Sequence, residues 1–504
     1  QNNAMGSGAL YANTTGNYNT AIGGGALDAN TTASSNVAVG YLSLSANTTA
    51  DNNTAVGRDA LGANTTGAQN VAVGQGSLAA NTTASYNTAL GREALNDNTT
   101  GADNVAVGRG SLGKNTTADN NTAVGRDALG ADTTGAFNTA VGALAGDALT
   151  TASYNVAVGY LALSTETGGQ ESVAIGSQAL STQNVGSGAI YNTAVGTSTG
   201  RVLTTGTNNT LIGGLAGDAI TTGANNVAVG KDALGANTTA SRNSAVGAFA
   251  LKDNSTGAEN TAVGYNSLIA NTTGNRNVAV GDVALDSNTE GSDNVAVGQN
   301  TLNSNTTGIQ NTALGKGASN NQITGNNNVF IGYNARGVNT STTNGIGIGH
   351  NIVNVGDNYV TLGKGAGTDR IYALFTSSAT WTKASDVRYK EEITNTDCGL
   401  DFINDLRPVT YKWKPRANVD SSLPDYNPEE TERRVDAKMY GLIAQEVKQA
   451  MDDNNITDFA GWHETSDGIQ GISQEMFVQP LIKAVQELSA QNAELTTRIE
   501  ALEG

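Results

Sequence analysis

The sequence predicts a mainly β protein: a parallel solenoid of short coils, then a small mixed α/β domain and a terminal coiled coil. Three observations predict it. Glycines recur every 17 residues through most of the 504-residue chain, all three tryptophans fall after position 380, and residues 478–504 carry an apolar heptad. A short fixed period means that each unit buries its surface only against its neighbours.

The array comes first. Gly23, Gly40, Gly57, Gly74, Gly91, Gly108, Gly125, Gly142, Gly159 and Gly176 keep the 17-residue step, and after a three-residue insertion it resumes at Gly196 and runs to Gly349. Each glycine closes a run such as Asn70-Val71-Ala72-Val73-Gly74, too short and too glycine-rich for a helix. Val71 and Val73 share one face of their strand and Ala72 takes the other. The branched residue before the glycine (Ile22, Val39, Val56, Leu90) is expected inside the coil. The alanine (Ala38, Ala106, Ala157) is expected on a face that another backbone approaches. Leucine four places after the glycine, as in Leu61 and Leu78, supplies a second apolar layer. Asn64-Thr65-Thr66 marks the return turn, because Asn tolerates turn geometry and hydroxyls bond nearby backbone. At about 4.8 Å per turn, roughly twenty turns make a rod on the order of 100 Å long.

Composition narrows the functions. With 45 acidic and 27 basic residues the formal charge is -18, which opposes binding to nucleic acid or anionic lipid. No apolar run is long enough for a membrane span, so no membrane insertion is expected. Nothing at the start resembles a signal peptide, and because the chain opens on Gln1 an upstream segment is expected. Cys398, the single cysteine, leaves stability to stacking or to association between chains. No cofactor and no metal are expected. His350 and His463 are isolated, and Asp59, Asp127 and Asp232 lack the Gly-Gly-x-Gly-x-Asp pattern of calcium-binding repeats. The Asn-Thr-Thr turns fit the N-glycosylation pattern, but a duplicated turn explains them without sugar. Adjacent threonines on a strand point to opposite sides, which argues against an ice-binding face.

The Asn-x-Ala-[Val/Ile]-Gly runs over residues 1–365 resemble the head repeats of trimeric autotransporter adhesins. That resemblance implies a trimeric, left-handed parallel β-roll. The added Asn-Thr-Thr segment departs from the shorter family period, so the cross-section is expected to differ.

Composition changes after the array, with residues 366–384 as the junction. Ile371-Tyr372-Ala373-Leu374-Phe375 opens a more apolar stretch. Val409-Thr410-Tyr411-Lys412-Trp413-Lys414 alternates like a strand, residues 417–436 read as a loop, and Tyr440–Val447 leads into a helix. At the boundary stand Ser385-Asp386-Val387-Arg388-Tyr389-Lys390, a potential nucleophile and a potential base five residues apart. Serine at its own pKa needs a nearby base, and lysine serves only when burial or positive neighbours lower its pKa.

Ser-Asp-x-Arg-x-Lys at 385–390, Arg-Pro-Val-x-Tyr-x-Trp at 407–413 and Gly-Leu-Ile-Ala-Gln-Glu-Val at 441–447 together resemble the peptidase S74 family. These are intramolecular chaperone domains of phage tailspikes, endosialidases and neck appendages. The resemblance implies that residues 385–477 trimerise, guide the preceding stalk into register, and then cut themselves away before the motif serine. Carried over, the scissile bond is Ala384-Ser385, Ser385 is the nucleophile and Lys390 its base; Asp386 and Arg388 match the motif, either to position the pair or as a surface ion pair.

Residues 478–504 place Val478, Val485, Asn492 and Ile499 at a and Leu481, Leu488, Leu495 and Leu502 at d. Those core preferences alone lean toward a dimer. The resemblance implies a trimer, and the whole assembly is expected to outweigh one short segment.

The function expected is a phage tail-fibre rod in the virion, a homotrimer that contacts a glycan or protein receptor on the host surface. A bacterial cell-surface adhesin or extracellular fibre is the alternative. An autotransporter adhesin should end in membrane-spanning strands, whereas this chain ends in a polar coiled coil. A glycan-degrading tailspike would need two carboxylates in a cleft, and the array has no insertion large enough to form one.

Overall fold

In the computed structural model, residues 1–366, 369–374, 382–383, 385, 387, 390–423, 426–433, 436–465 and 468–504 are described, without the side chains of Thr382 and Lys383. The chain divides into two compact units, Gln1–Ser385 and Asp386–Gly504.

The first unit is a parallel β-solenoid. Its three-residue strands stack in register one period apart, so that Thr54 pairs with Val71, Ala55 with Ala72 and Val56 with Val73. The glycine after each strand is required twice over. Gly57 has a φ of +137°, and a Cβ there would lie 2.5 Å from the Gly74 carbonyl oxygen. Only hydrogen fits between successive turns. The second layer tolerates a similar conformation for a different reason. Leu61 adopts a φ of 51° and is fully buried, as are Leu78 and Leu95 on the following turns. Left-handed backbone costs roughly 1–2 kcal/mol, and burying a leucine returns about as much or more.

The two strand faces are the reverse of the sequence expectation. Ala72 is fully buried and Val71 is 39% exposed, and the same division holds at Ala21 with Ile22 and at Ala89 with Leu90. The alternation is as expected, but the interior is too thin for branched side chains, because Ala60, Leu61 and the asparagine side chains already fill it. The alanine methyls therefore face inward. The Val, Ile and Leu side chains form an outward apolar stripe along the sheet.

Exchanges of size show how closely this interior is packed. Leu211 occupies the strand alanine position, and the leucine positions of its own and the preceding turn become Gly217 and Gly200. A Cβ on Gly200 would lie 2.8 Å from Leu211 Cδ1, and one on Gly217 2.9 Å from Cδ2. Phe330 is likewise matched by Gly347 one turn on.

Asparagine does more than turn the chain. Asn64, in the return turn, is fully buried, and its Nδ2 donates to Asn47 Oδ1 at 3.0 Å and to the Gly67 carbonyl at 2.9 Å. Asn81 repeats the bond to Asn64 at 2.9 Å. A second column precedes each strand, where Asn53 Oδ1 accepts the Asn70 backbone N–H at 2.9 Å. Buried amides are thus satisfied from turn to turn, which their burial requires. Of the paired threonines, Thr65 Oγ1 donates to the Thr82 carbonyl at 3.0 Å, while Thr66 is exposed.

The solenoid ends by reversing strand direction. Tyr359–Gly363 still pairs in parallel with Ile346–Ile348, but Arg370–Leu374 pairs with it antiparallel, and Thr382–Lys383 follows antiparallel.

Among the described residues the second unit has three α-helices, α1 (Leu400–Asp405), α2 (Ala444–Asp453) and α3 (Val478–Glu503). Its core gathers Cys398, Phe402, Val447, Ala450, Met451, Ile456 and Phe477. Burial pushes the Cys398 thiol above its ordinary range.

Candidate functional site

The second and third sequence motifs meet in space. Val409–Tyr411 pairs antiparallel with Met439–Gly441, so that Val409 stands opposite Gly441. Arg407, just before the first strand, grips Glu446 on α2 through both Nε, at 3.0 Å, and Nη2. The planar guanidinium suits such a two-point hold. Around it Arg407, Tyr411, Trp413, Leu442, Gln445 and Gln474 line an open groove of about 660 Å³. Trp413 is 58% exposed and meets Tyr411 edge-on at 5.4 Å between ring centroids. Gln474 belongs to neither motif, and no periodicity marks it.

The first motif lies at the division between the units. Ser385 and Lys390 are both exposed, and the Lys390 backbone N–H donates to the Val387 carbonyl at 3.0 Å. Ala384, Asp386 and Arg388 lie outside the described residues. Residues 382–383, which pair antiparallel with Ile371 and Tyr372, end two positions before Ser385.

Residues 385–456 match the family model Peptidase_S74, chaperone of endosialidase. The match begins at the motif serine and takes in all three motifs. It covers the start of the C-terminal unit and leaves the solenoid and α3 outside. Comparison with curated proteins and with solved structures gives no match. A chaperone-of-endosialidase segment implies trimer formation by the β-solenoid chain that carries it.

Two further surfaces fit that implication. Along α3 the a and d residues Val485, Leu488, Leu495 and Ile499 are all exposed in the single chain, as an unfilled coiled-coil seam would be. Nearer its start Pro480 and Ala484 are buried, so only the later turns are wholly free for a partner. The outward stripe of the solenoid is the second surface, with Ile22, Leu90, Val105, Ile212 and Leu314 between 37% and 47% exposed. Covering such a residue is worth about 1 kcal/mol, repeated on every turn.

The two histidines lie in different units. His350 stacks on Tyr333 in the solenoid, with ring centroids 5.2 Å apart, and His463 lies in the Trp462–Glu464 strand of the other unit. Among the described residues no helix is long and apolar enough to cross a membrane.

Proposed function

We propose that this chain forms the trimeric rod of a phage tail fibre that contacts a host-surface receptor, and that its C-terminal segment assembles the rod and is then released. The observation that carries the reading is a coincidence of boundaries: the family match starts at Ser385, and the compact units divide between Ser385 and Asp386. A cut there falls at the division of the units and frees one from the other.

The proposed step acts on the Ala384-Ser385 bond. Ser385 Oγ attacks the Ala384 carbonyl carbon while Lys390 Nζ takes the hydroxyl proton. The C–N bond then breaks, the proton passes to the departing amine, and an ester joins Ala384 to Ser385 Oγ. Water hydrolyses that ester, leaving a carboxylate on Ala384 and restoring the serine hydroxyl. Asp386 and Arg388 orient the pair. Lysine becomes a base when it is desolvated or placed among positive charges. Lys390 is exposed in the single chain, so assembly is the step that would bury it. Cleavage would then follow trimerisation and leave only correctly registered rods cut.

Native mass measurement on the full chain and on its rod fragment tests the assembly. Trimers of both are expected. A monomer for both contradicts the reading. Binding of the released rod to host cells, competed by host surface glycan or protein, tests the receptor assignment.

A further inference from the structure

The return-turn asparagines form an unbroken ladder from Asn13 to Asn115, and the next turn replaces asparagine with Asp132. Within the ladder each Nδ2 donates to Oδ1 of the preceding turn, down to the Asn115 bond to Asn98 at 2.8 Å. Asp132 is fully buried. Its Oδ1 accepts the Gly135 backbone N–H at 2.9 Å, and a Cβ at Gly135 would lie 2.7 Å from that oxygen. At the regular turn a Cβ on Gly67 would lie 2.5 Å from Asn64 Oδ1. The two Oδ1 atoms therefore correspond, and Asp132 Oδ2 stands where asparagine carries Nδ2.

That place needs a donor. The two acceptors a ladder Nδ2 serves are Oδ1 of the preceding turn and the carbonyl three residues on, here Asn115 Oδ1 and the Gly135 carbonyl. Asn121 Nδ2 already donates to the Gly135 carbonyl at 2.7 Å. Asn115 Oδ1 and Asp132 Oδ2 are both buried without a hydrogen-bond partner. An ionised Oδ2 would turn a lone pair toward a second acceptor, whereas a protonated one would satisfy both atoms at once.

We propose that Asp132 holds a proton on Oδ2 in the folded rod and donates it to Asn115 Oδ1, making this turn a proton-dependent joint. Below the joint the ladder position passes to Leu149, which offers no polar partner. The groups facing the carboxyl are neutral: the Gly135 and Thr133 backbone and the Asn138 amide. Of the charged residues on the flanking turns, Lys114 and Asp119 are engaged elsewhere, while Asp147, its own carboxyl raised by burial, is present in both the wild type and the Asp132→Asn comparison. Lys114 pairs with Asp97 at 3.0 Å, Asp119 accepts the Ala102 N–H at 2.7 Å, and Asp147 lines an outer groove with Asp97 and Asp127. Burial pushes the Asp132 carboxyl up to about 7, against the lowering pull of Gly135, Asn138 and Thr133.

A folded-state value raised above the ordinary 3.8 gives stability that is complete below 3.8 and lost as pH rises toward about 7. Asp132→Asn keeps the donor at every pH and supplies the comparison. Hydrogen exchange of the full chain, read over residues 115–149, should show equal or better protection for the wild type at pH 5. Relative to the variant, wild-type protection should then fall by about a hundredfold by pH 8, at tenfold per pH unit below the folded value. Asn305, whose Oδ1 is also unpartnered but is followed by the uncharged Gln322, gives a reference turn that should not change. A wild-type to variant ratio constant from pH 5 to 8 would overturn the proposal.

Discussion

The Glu487 carboxylate on α3 accepts the Leu400 backbone N–H at 2.7 Å, joining residues 87 positions apart. It caps α1 from outside the helix. Gly399, the residue at the cap position, offers no side chain, and a Cβ there would lie 2.4 Å from Glu487 Oε2. The short helix is thus closed by the helix that carries the coiled-coil seam.

That cap should be acid-labile. The Leu400 N–H, followed by Lys483, holds the Glu487 carboxyl below its ordinary 4.5. A depressed value gives stability that is present above 4.5 and lost as pH falls through the folded value. Glu487→Gln should lower the unfolding midpoint of the C-terminal unit at pH 7 and flatten its decline in acid. Thermal melts followed by Trp fluorescence in a Trp381→Phe background report on this unit, because Trp413 and Trp462 lie within it.

Leu211 should be replaceable only together with its glycines. Leu211→Ala opens a cavity in a fully buried site and should cost about 2–5 kcal/mol in denaturant titrations. Adding Gly200→Leu and Gly217→Leu rebuilds two regular turns only when Leu203 and Ile220, which stand at the ladder positions beside those glycines, are also returned to asparagine, and the combined variant should recover most of the loss. The glycine substitutions without Leu211→Ala should overpack the turns and destabilise the rod.

The asparagine ladder can be tested in its middle. Asn64→Ala removes the donor to Asn47 Oδ1 and the acceptor for Asn81 Nδ2, leaving buried polar atoms on both neighbouring turns. A loss of about 1–3 kcal/mol is expected, against a few tenths for Thr66→Ala on the exposed column.

The outward stripe should matter to assembly rather than to the single coil. Leu90→Lys with Val105→Lys places charges on residues 46% and 37% exposed in one chain. Circular dichroism of the solenoid should be unchanged, while native mass shifts from trimer toward monomer. An unchanged trimer would remove the stripe from the interface.

The solenoid was legible because its period is written in Gly23 to Gly349, and a parallel stack is how so short a repeat hides its surface. Which strand face turns inward was not. Alternation sets Val71 and Val73 against Ala72 but carries no sign, and the choice rests on the interior volume left by Leu61 and Asn64, a property of the closed coil. The asparagine columns were hidden for a related reason, since Asn64 reads as a turn former until neighbouring turns are stacked. In the C-terminal unit the three motifs were visible in order. The Arg407 grip on Glu446 was not, because no spacing announces an ion pair across 39 residues.

Release of the rod by Ser385 is read from the N-terminal sequence and intact mass of the small fragment. The account predicts a fragment of residues 385–504 beginning Ser-Asp-Val-Arg, a partner of residues 1–384, and only uncut chain in Ser385→Ala. The same cut persisting in Ser385→Ala, or a fragment beginning elsewhere, would contradict it.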